Sequence, residues 1–149
     1  TLEQFKEVIL ISQQGFTNNS DHAFVIKYDD EIAGRIGVYD IDHQNKIGSI
    51  GYWIGEKFQG KGIVTKSCNA ILEYCFKNLD LNRLEIKCAV KNYKSQAIAE
   101  KLLFKKEGVL REAELLHSEF IDLFSSKVRL PSWRIMPSSR PVSVMLLYL

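Results

Sequence analysis

The chain reads Gly51-Tyr52-Trp53-Ile54-Gly55-Glu56-Lys57-Phe58-Gln59-Gly60-Lys61-Gly62 where a predicted strand passes into a predicted helix. A glycine-rich turn in that position lets backbone N–H groups point into one concavity. The N-terminus of the following helix adds the positive end of its dipole, and the combination binds phosphate or pyrophosphate. Gly60 and Gly62, together with Gln59 and Lys61, favour anion binding over a tight connection that uses glycines for geometry alone.

Two nucleotide-binding motifs fit this turn poorly. Gly55, Gly60 and Lys61 match most of the G-x-x-x-x-G-K-[S/T] phosphate loop, but Gly62 stands where the magnesium-binding hydroxyl belongs. The dinucleotide pattern G-x-G-x-x-G fails because Thr65 replaces its third glycine. The sequence therefore argues against a nucleotide hydrolase and against a dinucleotide-binding enzyme.

Hydrophobic periodicity around the turn predicts a mixed α/β domain. Before the turn, the pattern predicts an amphipathic helix over residues 2–12 and an antiparallel meander of strands at 23–28, 32–41 and 47–54, with possible bulges at Gly34 and Gly37. After it come a helix over 65–79, a strand over 83–90, a helix over 95–103 that Ser95 can cap, and strands at 104–111 and 120–123 around a charged connection. We expect one domain over residues 1–130, followed by a proline-containing tail, 131–149, of unknown structure.

Composition sets limits on partners and location. A net charge of +2 on 149 residues is too small to indicate a nucleic-acid or membrane partner. The sequence shows no signal peptide and no apolar run long enough to cross a bilayer, so a cytoplasmic location is expected. Cys68, Cys75 and Cys88 have no metal-site spacing and are predicted to be buried reduced thiols, with a nucleophilic cysteine as the minor alternative.

Four ordered motifs carry a family resemblance. The segment Gln59-Gly60-Lys61-Gly62-Ile63-Val64 resembles the Q/R-x-x-G-x-G/A signature of the Gcn5-related N-acetyltransferase (GNAT) superfamily. Within this superfamily, the segment around the turn is similar to the RimJ/RimL group of ribosomal-protein N-acetyltransferases. Three further motifs are similar to the same group: Leu81-Asn82-Arg83-Leu84-Glu85-Ile86, Asn92-Tyr93-Lys94-Ser95 and Phe104-Lys105-Lys106-Glu107-Gly108. The resemblance implies a GNAT fold, in which a mixed, mostly antiparallel central sheet contains a parallel splayed strand pair and has flanking helices.

The resemblance also implies acetyl-CoA as co-substrate, no metal, and a primary amine as acceptor, possibly the N-terminus of a ribosomal protein. It implies that the pyrophosphate binds to the backbone N–H groups of Gly60, Gly62, Ile63, Val64 and Thr65. The side chains of Gln59 and Lys61 are implied to shape the turn. The pantetheine arm is expected to contact backbone groups of Trp53 and Ile54 and the side chain of Asn92. The backbone N–H near Ile54 is also the implied oxyanion donor. The side chain of Trp53 could equally be a core aromatic.

Two residues are implied as catalytic. Ser95 could protonate the leaving thiolate, although a helix N-cap is an equally good role for it. Glu114 matches the general base proposed for RimL-type enzymes, and the competing interpretation is a solvated glutamate. His117 is a second candidate base, although a surface histidine is the better interpretation.

The chain departs from the family pattern in three places. Val64 replaces the usual small residue at the end of the signature, and we expect the first strand and helix of the family to be missing before Thr1. After Leu123 the expected last strand gives way to Ser125-Ser126-Lys127. Other functions therefore stay open: a CoA-binding module without catalysis, an acetyltransferase for polyamines or amine antibiotics, or an incomplete domain whose exposed strand edges favour a homodimer.

Overall fold

The computed structural model describes residues 14–129 and 145–148, so the helix predicted over residues 2–12 lies outside the described part. Its elements run in the order β1 (His22–Tyr28), β2 (Glu31–Asp42), β3 (Ile47–Ile54), a 3-10 turn (Glu56–Phe58), α1 (Ile63–Lys77), β4 (Arg83–Ala89), α2 (Tyr93–Lys101), β5 (Lys105–Leu116), β6 (Glu119–Arg129) and β7 (Met145–Tyr148). The described strands form one sheet in the order β5-β6-β4-β3-β2-β1-β7.

The predicted antiparallel meander is confirmed, because β2 pairs with β1 on one side and with β3 on the other. The register between β1 and β2 shifts next to Gly34, but Gly37 lies in continuous pairing, so the bulge predicted at Gly37 is wrong. Both glycines are needed for close approach of neighbouring strands. A Cβ on Gly34 would lie 2.2 Å from the carbonyl oxygen of Trp53, and one on Gly37 would lie 2.8 Å from that of His22.

A parallel strand pair opens at the centre of the sheet. Strand β3 pairs with β4 only from Ile47 opposite Arg83 to Ile50 opposite Ile86. Beyond that point β3 continues against β2 as far as Ile54, while β4 continues against β6 as far as Ala89. The two strands therefore diverge and leave a gap, which confirms the predicted mixed sheet with a splayed parallel pair.

Helix α1 packs on this sheet through the face that its periodicity predicts. Its buried side chains include Cys68, Ile71, Leu72, Cys75 and Phe76. The helix begins at Ile63 and ends at Lys77, whereas the periodicity predicts a helix over 65–79. Burial raises the pKa of both the Cys68 and the Cys75 thiol to about 12. The prediction of buried thiols is thus confirmed for this helix.

Cys88, the third cysteine, lies on β4 and is also buried. Burial is the main cause that raises the pKa of its thiol, while the nearby charge of Lys106 acts in the opposite direction. A thiol with a raised pKa carries little thiolate at neutral pH, so the structure gives no support to a nucleophilic cysteine.

The end predicted for the last long strand is wrong. Strand β6 continues past Leu123 to Arg129, with Ser125 and Ser126 buried within it. Hydrophobic alternation stops at these serines, but the Ser125 hydroxyl donates a hydrogen bond of 2.8 Å to Glu85 of β4. Because β6 lies between β4 and β5, its backbone is paired on both sides, and the polar side chains do not end the strand.

The charged connection predicted after Arg111 is also wrong. Strand β5 extends to Leu116, and the turn is formed by His117 and Ser118, whose φ angles of 48° and 67° suit a tight hairpin. In the tail, residues 145–148 pair antiparallel with β1, and the boundary predicted at residue 130 stays a prediction. None of the helices in the described part is long and apolar enough to cross a membrane.

Candidate active site

The glycine turn holds its shape through two left-handed residues. Gly60 and Gly62 both have a φ of 73°, a region that residues with a Cβ avoid. A Cβ at either position would meet no heavy atom within 4 Å. The glycines are therefore required by backbone conformation rather than by lack of space.

Gly62 is also the N-cap of α1, with no side-chain cap hydrogen bond and no acidic residue in the first helical turn. Within the described residues, the first N–H groups of the helix, at Ile63, Val64 and Thr65, thus have no capping side chain, and they carry the positive end of the helix dipole. An anion is the natural partner for such donors.

A cleft of about 540 Å³ connects this helix terminus to the gap between β3 and β4. It brings together ten of the predicted site residues: Trp53, Ile54, Gln59, Gly60, Gly62, Ile63, Val64, Thr65, Asn92 and Ser95. Trp53 is 58% exposed, so the alternative that it is a core aromatic is wrong. Val64 is buried in the core, which explains how the turn accommodates a bulky residue there.

The lysines at the cleft differ from the prediction. Lys61 does not line the cleft; its ammonium lies over the rings of Tyr28 and Phe58, 5.6 and 5.9 Å from their centroids. Instead Lys94 and Lys101 of α2 line it, and the Lys94 ammonium donates a 3.0 Å hydrogen bond to Gln59 Oε1. Positions 94, 98 and 101 share one face of a helix, so spacing could have revealed this pair.

The N-terminus of α2 is capped by Asn92, which corrects the prediction that Ser95 is the N-cap. The Ser95 N–H donates to Asn92 Oδ1 at 3.1 Å, because the helix begins at Tyr93. The Ser95 hydroxyl is buried and lies 2.5 Å from the phenol oxygen of Tyr52, a cleft residue that the sequence analysis did not identify. Burial raises the pKa of Tyr52 to about 12, although the hydrogen bond to Ser95 acts against this rise.

The edge of β3 offers a backbone donor. The Gly55 N–H donates to the Ala33 carbonyl at 2.8 Å, on the side of β2. Since successive N–H groups of an extended strand point to opposite sides, the N–H of Ile54 is directed toward the gap between β3 and β4. This is the position in which the sequence analysis expects an oxyanion donor.

A family model for the acetyltransferase (GNAT) domain matches residues 1–105. The chain belongs to this family. Among relatives, this GNAT domain is 40% identical over 96 residues to the putative ribosomal N-acetyltransferase YdaF of Bacillus subtilis, covering 64% of this chain and 52% of the relative. It is 33% identical over 115 residues to the ribosomal-protein-serine acetyltransferase of Escherichia coli, covering 77% and 62%.

The spermidine N(1)-acetyltransferase of E. coli is 30% identical over 120 residues, which cover 80% of this chain and 62% of that protein. Among solved structures, the microcin C7 self-immunity acetyltransferase MccE in complex with acetyl-CoA and AMP superposes with a TM-score of 0.82 at 38% identity, covering 87% of this chain and 72% of that one. The chain thus spans between about half and two thirds of the length of these curated relatives.

The predicted bases lie away from the cleft of this GNAT domain. Glu114 is exposed on β5 opposite Ile121, in the part of the β5–β6 hairpin that extends beyond the pairing of β4 with β6, and it does not line the cleft. His117 is exposed in the turn of the same hairpin. In the described part of the chain, no group of three or more His, Cys, Asp or Glu side chains could hold a metal ion.

Proposed function

We propose that this GNAT domain transfers an acetyl group from acetyl-CoA to a primary amine, and that the amine is a protein N-terminus of the ribosomal-protein type. The observation that carries the proposal is the cleft that joins the uncapped N-terminus of α1 to the gap between β3 and β4. One end of this cleft suits a pyrophosphate, and the other end lies beside a strand edge with free backbone groups.

The turn and α2 fit the charged part of acetyl-CoA. The N–H groups of Ile63, Val64 and Thr65 supply donors and a positive dipole, and Lys94 and Lys101 supply positive charge on the opposite wall. Within the described residues, no aspartate or glutamate lines the cleft. The electrostatic character of the cleft therefore suits phosphate groups.

The strand edge fits the reacting part. The pantetheine arm would lie along β3 at Trp53 and Ile54 and reach Asn92, so that the acetyl carbonyl meets the Ile54 N–H. Ser95 would then lie beside the sulfur and act as its hydrogen-bond or proton donor. Much of the acceleration would come from holding the acetyl group and the amine in position.

Deprotonation of the acceptor is the easier step for an N-terminal amine. Its reference pKa is near 8, about two units below that of lysine, so a useful fraction is neutral at physiological pH. Glu114 stays the candidate base through the family resemblance, although it does not line the cleft.

The acceptor class rests on the relatives. Two of the similar proteins carry ribosomal acetyltransferase names, and a ribosomal substrate implies a cytoplasmic location. The similarity to spermidine N(1)-acetyltransferase favours a small polyamine as the second candidate.

We further propose a homodimer that associates through the β5–β6 hairpin. Strand β5 is an edge of the described sheet, and the hairpin exposes the apolar side chains of Val109, Leu115 and Phe120. Exposed apolar strand edges favour pairing with another chain. Light scattering of the purified protein measures this directly, and a monomer at all concentrations would contradict it.

Isothermal titration with acetyl-CoA tests the cofactor site. Gly62→Trp would place an indole at the helix terminus and should remove binding, whereas the same change at Gly108, in open space on β5, should leave it intact. Spermidine and peptides with an N-terminal serine or alanine are then tested as acceptors, and the acetylated products are identified by mass spectrometry. Acetylation of spermidine alone would reject the proposed acceptor, and binding without turnover of any amine would indicate a CoA-binding module.

A further inference from the structure

The tyrosine–serine pair at the cleft joins two hydroxyls, and by geometry either of them could be the donor. Ser95 already has its main chain fixed, since its N–H donates to Asn92 Oδ1 at 3.1 Å. Its hydroxyl oxygen lies 2.5 Å from the Tyr52 phenol oxygen, and both residues line the cleft. One of the two hydroxyls must donate to the other, and the donor's proton is then no longer available to a ligand.

A second serine shows what a helical hydroxyl does without such a partner. Ser67 of α1 donates its hydroxyl proton to the carbonyl of Ile63, one helical turn earlier, at 2.8 Å. This is a common arrangement for serine within a helix, and it withdraws the hydroxyl from other donor roles. In α2, by contrast, the hydroxyl of Ser95 has the phenol of Tyr52 as its hydrogen-bond partner.

We propose that Tyr52 is a positioning residue: its phenol donates to Ser95 Oγ and so leaves the Ser95 proton directed into the cleft, toward the sulfur of CoA. This inference rests on the proposed function. Tyr52 keeps its proton at neutral pH because burial raises its pKa to about 12. The thiols of Cys68 and Cys88, which face Tyr52 from α1 and β4, have raised pKa values as well and do not accept that proton.

The role in the reaction follows from where charge develops. As the amine nitrogen bonds to the acetyl carbon, the C–S bond breaks and its electron pair goes to sulfur. The new amide loses one proton to solvent, and the thiolate later takes one from solvent. Ser95 hydrogen-bonds the sulfur while its charge is greatest, and the donation from Tyr52 polarises that hydroxyl and strengthens the bond.

The binding of CoA itself tests the inference without any acceptor. If Ser95 hydrogen-bonds the thiolate more strongly than the thiol, the affinity for CoA should rise by about 10-fold as the pH passes an ordinary thiol pKa of about 8.5. Acetyl-CoA has no ionisable thiol, so its affinity at the same pH values corrects for Lys94, Lys101 and every other protein group. Both ligands are titrated calorimetrically between pH 7 and 9.5.

Three variants complete the test, each checked for an unchanged melting temperature. Tyr52→Phe and Ser95→Ala should each abolish the extra pH dependence of CoA binding, and the double variant should lose nothing more. Tyr93→Phe is the matched control, because Tyr93 is 74% exposed and does not line the cleft. In turnover, Tyr52→Phe should lower kcat about 3- to 10-fold at unchanged KM, an effect absent in the Ser95→Ala background.

The outcomes separate this inference from the proposed function. If both ligands bind and CoA shows no extra pH dependence, or if Tyr52→Phe retains it, the inference is overturned while the cofactor site stands. If acetyl-CoA does not bind, the proposed function fails, and the role of Tyr52 fails with it.

Discussion

Replacing Gly62 by alanine separates the conformational role of this glycine from every steric one. A Cβ there meets no atom within 4 Å, so the substitution acts only through the φ of 73°. Holding a residue with a Cβ in the left-handed region costs about 1–2 kcal/mol. For a chain of this size, each kcal/mol corresponds to about 2–4 °C in melting temperature, so Gly62→Ala should melt about 2–8 °C below its control.

Gly108→Ala is the matched control, because it adds the same methyl group in equally open space at a glycine without a positive φ. Both variants lose the same glycine freedom in the unfolded chain, so that contribution cancels in the comparison. Melting is followed by calorimetry without ligand. Equal melting temperatures for the two variants would refute the claim that the turn needs glycine for its conformation. Gly62→Asn provides a further check, since asparagine tolerates the left-handed region and should recover part of the loss.

Three further predictions concern the rest of the domain. Burial is the main cause that lowers the pKa of His22 below its ordinary value of 6.5, and the nearby charge of His43 acts in the same direction. Because the folded chain then binds fewer protons than the unfolded chain, its stability should fall as the pH drops below about 6.5. Between pH 8 and 5.5 the wild type should lose more melting temperature than His22→Gln, and equal losses would contradict this. In the native protein at pH 8, Cys68 and Cys75 should be protected from alkylation by iodoacetamide, and in guanidinium both should be alkylated, as peptide mass spectrometry can show. Alkylation of the native protein at the rate of a free thiol would disprove their burial. Gly34→Ala should lower the free energy of unfolding by about 1–3 kcal/mol relative to the control Gly108→Ala, as measured by denaturant titration. Equal free energies of unfolding for the two variants would mean that β2 and β3 can move apart.

The parts of the fold that follow from local pattern were predictable from the sequence. The apolar face of α1 and the alternation of β4 depend on neighbours within each element, so periodicity alone indicates them. The glycines of the turn were predictable as well, because glycine adopts a φ of 73° without the steric cost that a Cβ brings.

The features that sequence analysis missed depend on partners far along the chain. The serines of β6 look like the end of a strand until Glu85, forty residues earlier, accepts a hydrogen bond from Ser125. The Lys61 ammonium lies over two aromatic rings distant in sequence, and the importance of Tyr52 becomes visible only beside Ser95. Local pattern thus gives the elements and the turn, whereas the orientation of long side chains requires the assembled sheet.

The position of β6 has a consequence for how the domain is made. The meander of β1, β2 and β3 joins strands that follow one another, so it can form from local contacts together with the glycine turn and α1. The other half must wait, because β6 inserts between β4 and β5 and pairs Arg129 with Arg83. Pairings between distant parts of a chain form slowly. During translation, the meander and the anion-binding turn can therefore form well before β6 pairs with β4.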